Sequence, residues 1–111
     1  MALTHHSGVA TGTDGLRVGS SGTALTQVSV YSQTITPASV GAATVAEQTF
    51  TVTGLTTADK VVVNPAAISN ATGICGFRVS AADTLAVRFV NPTAGALVPT
   101  AGTWSIIAFR S

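Results

Sequence analysis

Thr84-Leu85-Ala86-Val87-Arg88-Phe89-Val90 alternates with a period of two, so that Leu85, Val87 and Phe89 share one face and Ala86, Arg88 and Val90 share the other. That pattern suits a strand with one face in a core. Asn91-Pro92 closes the run, because proline brings no N–H to a ladder. Downstream, Thr103 to Arg110 sets Trp104, Ile106 and Ala108 against Ile107 and Phe109. Large apolar groups on both faces predict a strand that is central or covered by another subunit.

Working upstream, Ile74, Phe77 and Val79 form a strand-like run that turns at Ala81 to Asp83. Val61, Val62 and Val63 are consecutive and end at Asn64-Pro65, and their lack of alternation predicts burial on both faces. In Gln48 to Thr53, Phe50 and Val52 oppose Thr49, Thr51 and Thr53. Gln27 to Thr36 puts Val28 and Val30 on one face and Tyr31 on the other before Pro37 stops it. No helical period is sustained. The expected core is Val28, Val30, Phe50, Val52, Val62, Leu85, Val87, Phe89, Trp104 and Ile106.

Strands of this length between turn residues predict an all-β fold: a compact antiparallel β-sandwich or barrel, jelly-roll-like or Greek-key, of about six to eight strands. It would occupy residues 24–111. Residues 1–23, with Gly8, Gly12, Gly15, Gly19 and Gly22 among Ser and Thr, read as an extended, flexible N-terminal arm. A chain of 111 residues accommodates one such domain and one modest core.

Charged residues are 8% of the chain, where ~25% is usual, while apolar residues are 46%. So little charge cannot coat a free-standing domain, which predicts permanent protein neighbours. The net charge is +1, with Lys60 the single lysine and Arg17, Arg78, Arg88 and Arg110 scattered, so no cluster exists to neutralise phosphates and no nucleic-acid partner is expected. One cysteine, Cys75, permits no intrachain disulfide. The first residues show no basic segment followed by an apolar run and no apolar run approaches membrane-spanning length, so no secretory leader and no membrane partner are expected, and synthesis in the cytoplasm is.

Chemistry-bearing residues are few, and none forms a convincing constellation. His5 and His6 are adjacent on the arm, with Asp14 the one nearby carboxylate, which falls short of a convergent metal site. Cys75, between Ile74 and Gly76, has no accompanying base and reads as a small buried hydrophobe. Glu47, Asp59 and Asp83 complete the carboxylates. Asp59 and Asp83 fall in turns where a carboxylate caps backbone N–H groups. Tyr31 and Trp104 could form a sugar-stacking platform with Arg88 beside it, but packing is the favoured use of Trp104. Asn70-Ala71-Thr72 matches a glycosylation acceptor by chance. No catalytic, cofactor or metal site is expected, and hence no enzyme.

The stretch Val30-Tyr31-Ser32-Gln33-Thr34-Ile35-Thr36-Pro37-Ala38-Ser39-Val40, with Ala46-Glu47-Gln48-Thr49-Phe50-Thr51-Val52-Thr53-Gly54-Leu55, resembles a family of small β-rich virion proteins of tailed bacteriophages. Arg78-Val79-Ser80-Ala81-Ala82-Asp83-Thr84-Leu85 and Gly102-Thr103-Trp104-Ser105-Ile106-Ile107-Ala108 are similar to it too, so the resemblance covers most of residues 28–110. It implies a capsid decoration (cement) protein, or a tail or fibre module that binds a host glycan or protein. In the first case the implied partners are the major capsid protein and further copies of the chain, expected as a homotrimer on the outer surface of the virion capsid. There the arm would run along the shell.

Overall fold

Six strands form within residues 21–111, the part of the chain that the computed structural model describes: β1 (Gln27–Ile35), β2 (Thr44–Thr51), β3 (Lys60–Asn64), β4 (Gly73–Ala81), β5 (Thr84–Asn91) and β6 (Gly102–Arg110). No helix occurs among them. The predicted arm, apart from Ser21 to Thr23, lies outside the described residues. The strands make two antiparallel sheets, ordered β1-β6-β3 and β2-β5-β4. Pairing of β1 with β6 and of β2 with β5 nests the chain as one long hairpin, rolled until β6 also meets β3 and β5 also meets β4. This is a jelly-roll-like winding, and the all-β antiparallel sandwich expected from the alternating runs is what the chain adopts.

The core lies between the two inner faces. Leu85, Val87 and Phe89 of β5 oppose Trp104, Ile106 and Ala108 of β6, and all six are buried. Ile35, Val40, Val52, Leu55, Val63 and Val79 close the sides and ends, each fully buried aliphatic adding roughly 1.5–3 kcal/mol. Three aromatic rings join the sheets. Phe89 meets Trp104 edge-on at 6.1 Å and Phe50 meets Phe89 edge-on at 6.4 Å, while Phe50 and Trp104 are tilted at 6.5 Å. Edge-on packing sets the positive rim of one ring against the negative face of the next. Phe50 itself is only partly buried.

Three expected core residues point outward. Val28, Val30 and Val62 are 49%, 67% and 48% exposed. The cause is register. Tyr31 lies opposite Ile106 and Val30 opposite Ile107, so burial of Trp104 and Ile106 commits the odd-numbered residues of β1 to the inside, ending in fully buried Ile35. The same parity takes Val63 inward opposite Ile106 and Val62 outward opposite Ile107. The triple-valine run is thus a one-sided strand, not one buried on both faces. The expected central position of the C-terminal strand holds, since β6 lies between β1 and β3.

The twin Asn-Pro stops differ in what they hold. Asn64 is exposed at the end of β3. Asn91 is fully buried: its Nδ2 donates to the carbonyl oxygens of Val40 (3.0 Å) and Gly95 (2.9 Å), and its Oδ1 accepts from Thr93 N (3.0 Å) and Thr93 Oγ1 (2.7 Å). These bonds tie together the β1–β2 and β5–β6 connections, whose Val40 and Leu97 pair as an isolated antiparallel bridge. Asn91→Ala removes all four of these bonds from a buried site, leaving the Val40 carbonyl only Leu97 N and the Gly95 carbonyl only Thr93 Oγ1 as donors, and leaves Thr93 N–H without its acceptor. It is expected to lower stability in urea titrations by ~2–4 kcal/mol, against under about 0.5 kcal/mol for Asn64→Ala.

Candidate functional site

His5, His6 and Asp14 lie outside the described residues. Cys75 is exposed, contrary to its reading as a small buried hydrophobe. A register irregularity between Ile74 and Gly76 takes it out of the ladder, and its Sγ sits 3.5 Å from the Arg88 carbonyl oxygen. Among the described residues no group of three or more His, Cys, Asp or Glu side chains gathers where a metal could be held. The stacking platform is not assembled: Trp104 is inside the sandwich, Tyr31 is half-buried near Gly54, and Arg88 is exposed on the other sheet. Asn70 is occupied locally, donating to the Val98 carbonyl oxygen (2.7 Å) and accepting from Thr72 N and Oγ1 (3.1 and 2.5 Å).

Each described carboxylate has a structural partner. Asp83 closes the two-residue turn between β4 and β5 in a left-handed conformation (φ 59°), and its Oδ1 accepts from Gly54 N at 2.8 Å. Gly54 needs its own left-handed φ of 107°, and any Cβ there would meet the Tyr31 ring at 3.0 Å. Asp59 caps its turn as predicted, its Oδ2 accepting from Thr56 N at 3.0 Å. It does more than cap. Arg110 donates from Nε to Oδ1 (2.7 Å) and from Nη2 to Oδ2 (3.1 Å), a two-pronged pairing with a carboxylate that is almost wholly buried. The guanidinium also donates to Gln27 Oε1 and the Gly54 carbonyl oxygen, so it clasps β6, β1 and the turn before β3. On the exposed face of the other sheet Glu47 pairs with Arg78 at 3.0 Å, with Arg88 at 4.0 Å. The Arg78 hydrogen bond draws the Glu47 carboxyl below its usual range, but solvent screens such a pair.

The two outer faces therefore differ in chemistry. Glu47, Arg78 and Arg88 occupy the middle of the β2-β5-β4 face. On the β1-β6-β3 face, one row across the sheet runs Val30, Ile107, Val62, and the next runs Val28, Phe109, Lys60. The valines are exposed, Ile107 and Phe109 are half-buried, and Lys60 at the margin is the one charged residue in these rows. Ser32, Ser105 and Asn64 continue the face as a neutral polar row. This apolar surface is the candidate functional site. It escaped sequence reasoning because the outward valines were assigned to the core. The signal was present in β6, whose Ile107 and Phe109 put large apolar groups on the face opposite Trp104, Ile106 and Ala108.

Two loops meet at one end of the sandwich. Thr100 Oγ1 bonds Ser69 N (3.0 Å) and Ser69 Oγ (2.8 Å), and Asn70 reaches Val98, bringing residues 66–72 and 91–102 together with Ile68 and Val98 exposed.

The clasp carries a pH signature. The hydrogen bond from Arg110 leads in lowering the Asp59 carboxyl from 3.8 to about 2, with Thr56 N–H assisting and burial opposing. Because the folded value lies below the unfolded one, the stabilisation is complete above about pH 4 and is lost as pH falls through about 2. Urea midpoints should therefore fall over that window in the wild-type protein. Asp59→Asn should lower the midpoint near pH 7 and flatten the acid limb; a wild-type acid limb retained in that variant would remove Asp59 as its source.

Comparison with protein families, with characterised proteins and with solved structures finds no match to this chain.

Proposed function

We propose that this chain is a structural protein of a tailed-bacteriophage virion: a capsid decoration protein that assembles as an oligomer, expected as a trimer, on the outer surface of the shell and stabilises it. One observation carries the reading. A sheet face of Val28, Val30, Val62, Ile107 and Phe109 is left outside a sandwich whose sequence is only 8% charged, and such a face is stable in water when protein covers it. The resemblance of residues 28–110 to small phage virion proteins supports the same assignment. Binding confined to the assembled shell would stabilise it by mass action. The role is structural, the major capsid protein is the partner, and the chain is made in the host cytoplasm before it joins the virion.

The joined loops at residues 66–72 and 91–102 favour a second reading, a tail or fibre module that recognises a host glycan or surface protein, since paired loops on a rigid sandwich are a common recognition device. Imaging of intact particles with the chain labelled separates the two. Density distributed over the shell supports decoration, and density confined to the tail overturns it. Removal of residues 1–23 is expected to leave a folded protein that no longer sediments with capsids; undiminished co-sedimentation would overturn a shell-binding role for that segment.

A further inference from the structure

Among the described residues each sheet ends in two outer strands that pair on one side only, and three of these four strands carry devices that discourage pairing with another chain. β2 has Glu47 near its middle, held by Arg78 and Arg88. β3 is five residues long and begins with Lys60. β4 has two register irregularities and Arg78. Charges, short length and bulges are the usual means of keeping an edge from templating a new strand. β1 has none of them. It is nine residues long, pairs with β6 without a register shift, contains no proline and is the one strand of the six without a charged residue. Among the described residues its other edge has no backbone partner.

We propose that the open edge of β1 pairs antiparallel with β1 of a second copy across a two-fold axis, making one continuous sheet of β3-β6-β1 from each copy. Charge selects this pairing. Placed against its own copy, β2 would bring Glu47 near Glu47 and β4 would bring Arg78 near Arg78, each a like-charge contact, while β3 offers only five residues to pair. β1 against β1 brings no charge near another. In the register that sets Val30 opposite Val30 of the other copy, Val28 of each chain lies diagonal to that pair on the same face, so the two apolar faces join into one. A two-fold contact gives dimers where no other contact exists, and joins trimer to trimer where trimers form.

Native mass spectrometry of the isolated protein tests this apart from any virion. Wild-type protein is expected at an even multiple of the protomer mass, and Val30→Lys at half the wild-type value. Val30 is 67% exposed, so the lysine leaves the protomer intact, which the emission of Trp104 verifies. In a Cys75→Ser background, Val30→Cys treated with a short bis-maleimide should give linked pairs, and Thr49→Cys on the β2 edge should not. An unchanged mass for folded Val30→Lys, or no linkage through Val30→Cys, overturns the pairing. So does a monomeric wild type that dimerises once residues 1–20 are removed, because that segment would then be what covers the edge. Failure here is distinct from failure of the decoration reading, which depends on where the chain lies in particles.

Discussion

The parity of β6 is the constraint on which the rest of the molecule depends. A strand presents alternate residues to opposite faces, and β6 is bound on both sides, by β1 and by β3. Once Trp104, Ile106 and Ala108 are inside, every residue of the two neighbouring strands is assigned a face. Slipping either neighbour by one residue would bury Ser32 or Asn64 and expel Ile35 or Val63. The aromatic contacts to Phe50 and Phe89 then fix how the second sheet lies on the first.

Polar groups hold the ends that this packing does not reach. The buried Asn91 organises one loop region through four hydrogen bonds, and the Asp59–Arg110 pair draws the far end of β6 onto the turn between β2 and β3. Taking a carboxylate out of water is costly, so a buried ion pair adds little stability compared with well-packed apolar groups, although removing one partner is damaging. In this sandwich the pair is better understood as a positional device. Three segments distant in sequence, around Gln27, Gly54 and Arg110, meet at one guanidinium.

Much of the architecture was legible in the sequence because local signals agreed with the final fold. The period-two alternation around Leu85, Val87 and Phe89, the turn at Asp83 and the proline stops marked strands close to where they occur. The inside and outside of β1 and β3 were not legible from within those strands. Val28 and Val30 are more apolar than Ser29 and Gln33, so composition favours the wrong face, and only the pairing with β6 decides. Asp59 was readable as a turn cap, but its pairing with Arg110 depends on residues separated by most of the domain. Asn64-Pro65 and Asn91-Pro92 look alike in sequence. Burial, which the dipeptide does not encode, separates a simple stop from a structural hub.

The nested winding also orders events in time. β1 finds its partner in β6, with Gln27 opposite Arg110, so during synthesis the first strand exists well before the strand that completes it. Folds dominated by such distant pairings close slowly, because chain entropy is lost before contacts return it. Until β6 emerges, the uncharged β1 lacks its one strand partner among the described residues, while β2, β4 and β5 can already associate around Leu85 and Val87. Under the proposed pairing of β1 between copies, the interval between translation of β1 and translation of β6 is when a nascent chain also offers the edge that β6 later takes, and the rate of elongation sets how long that interval lasts.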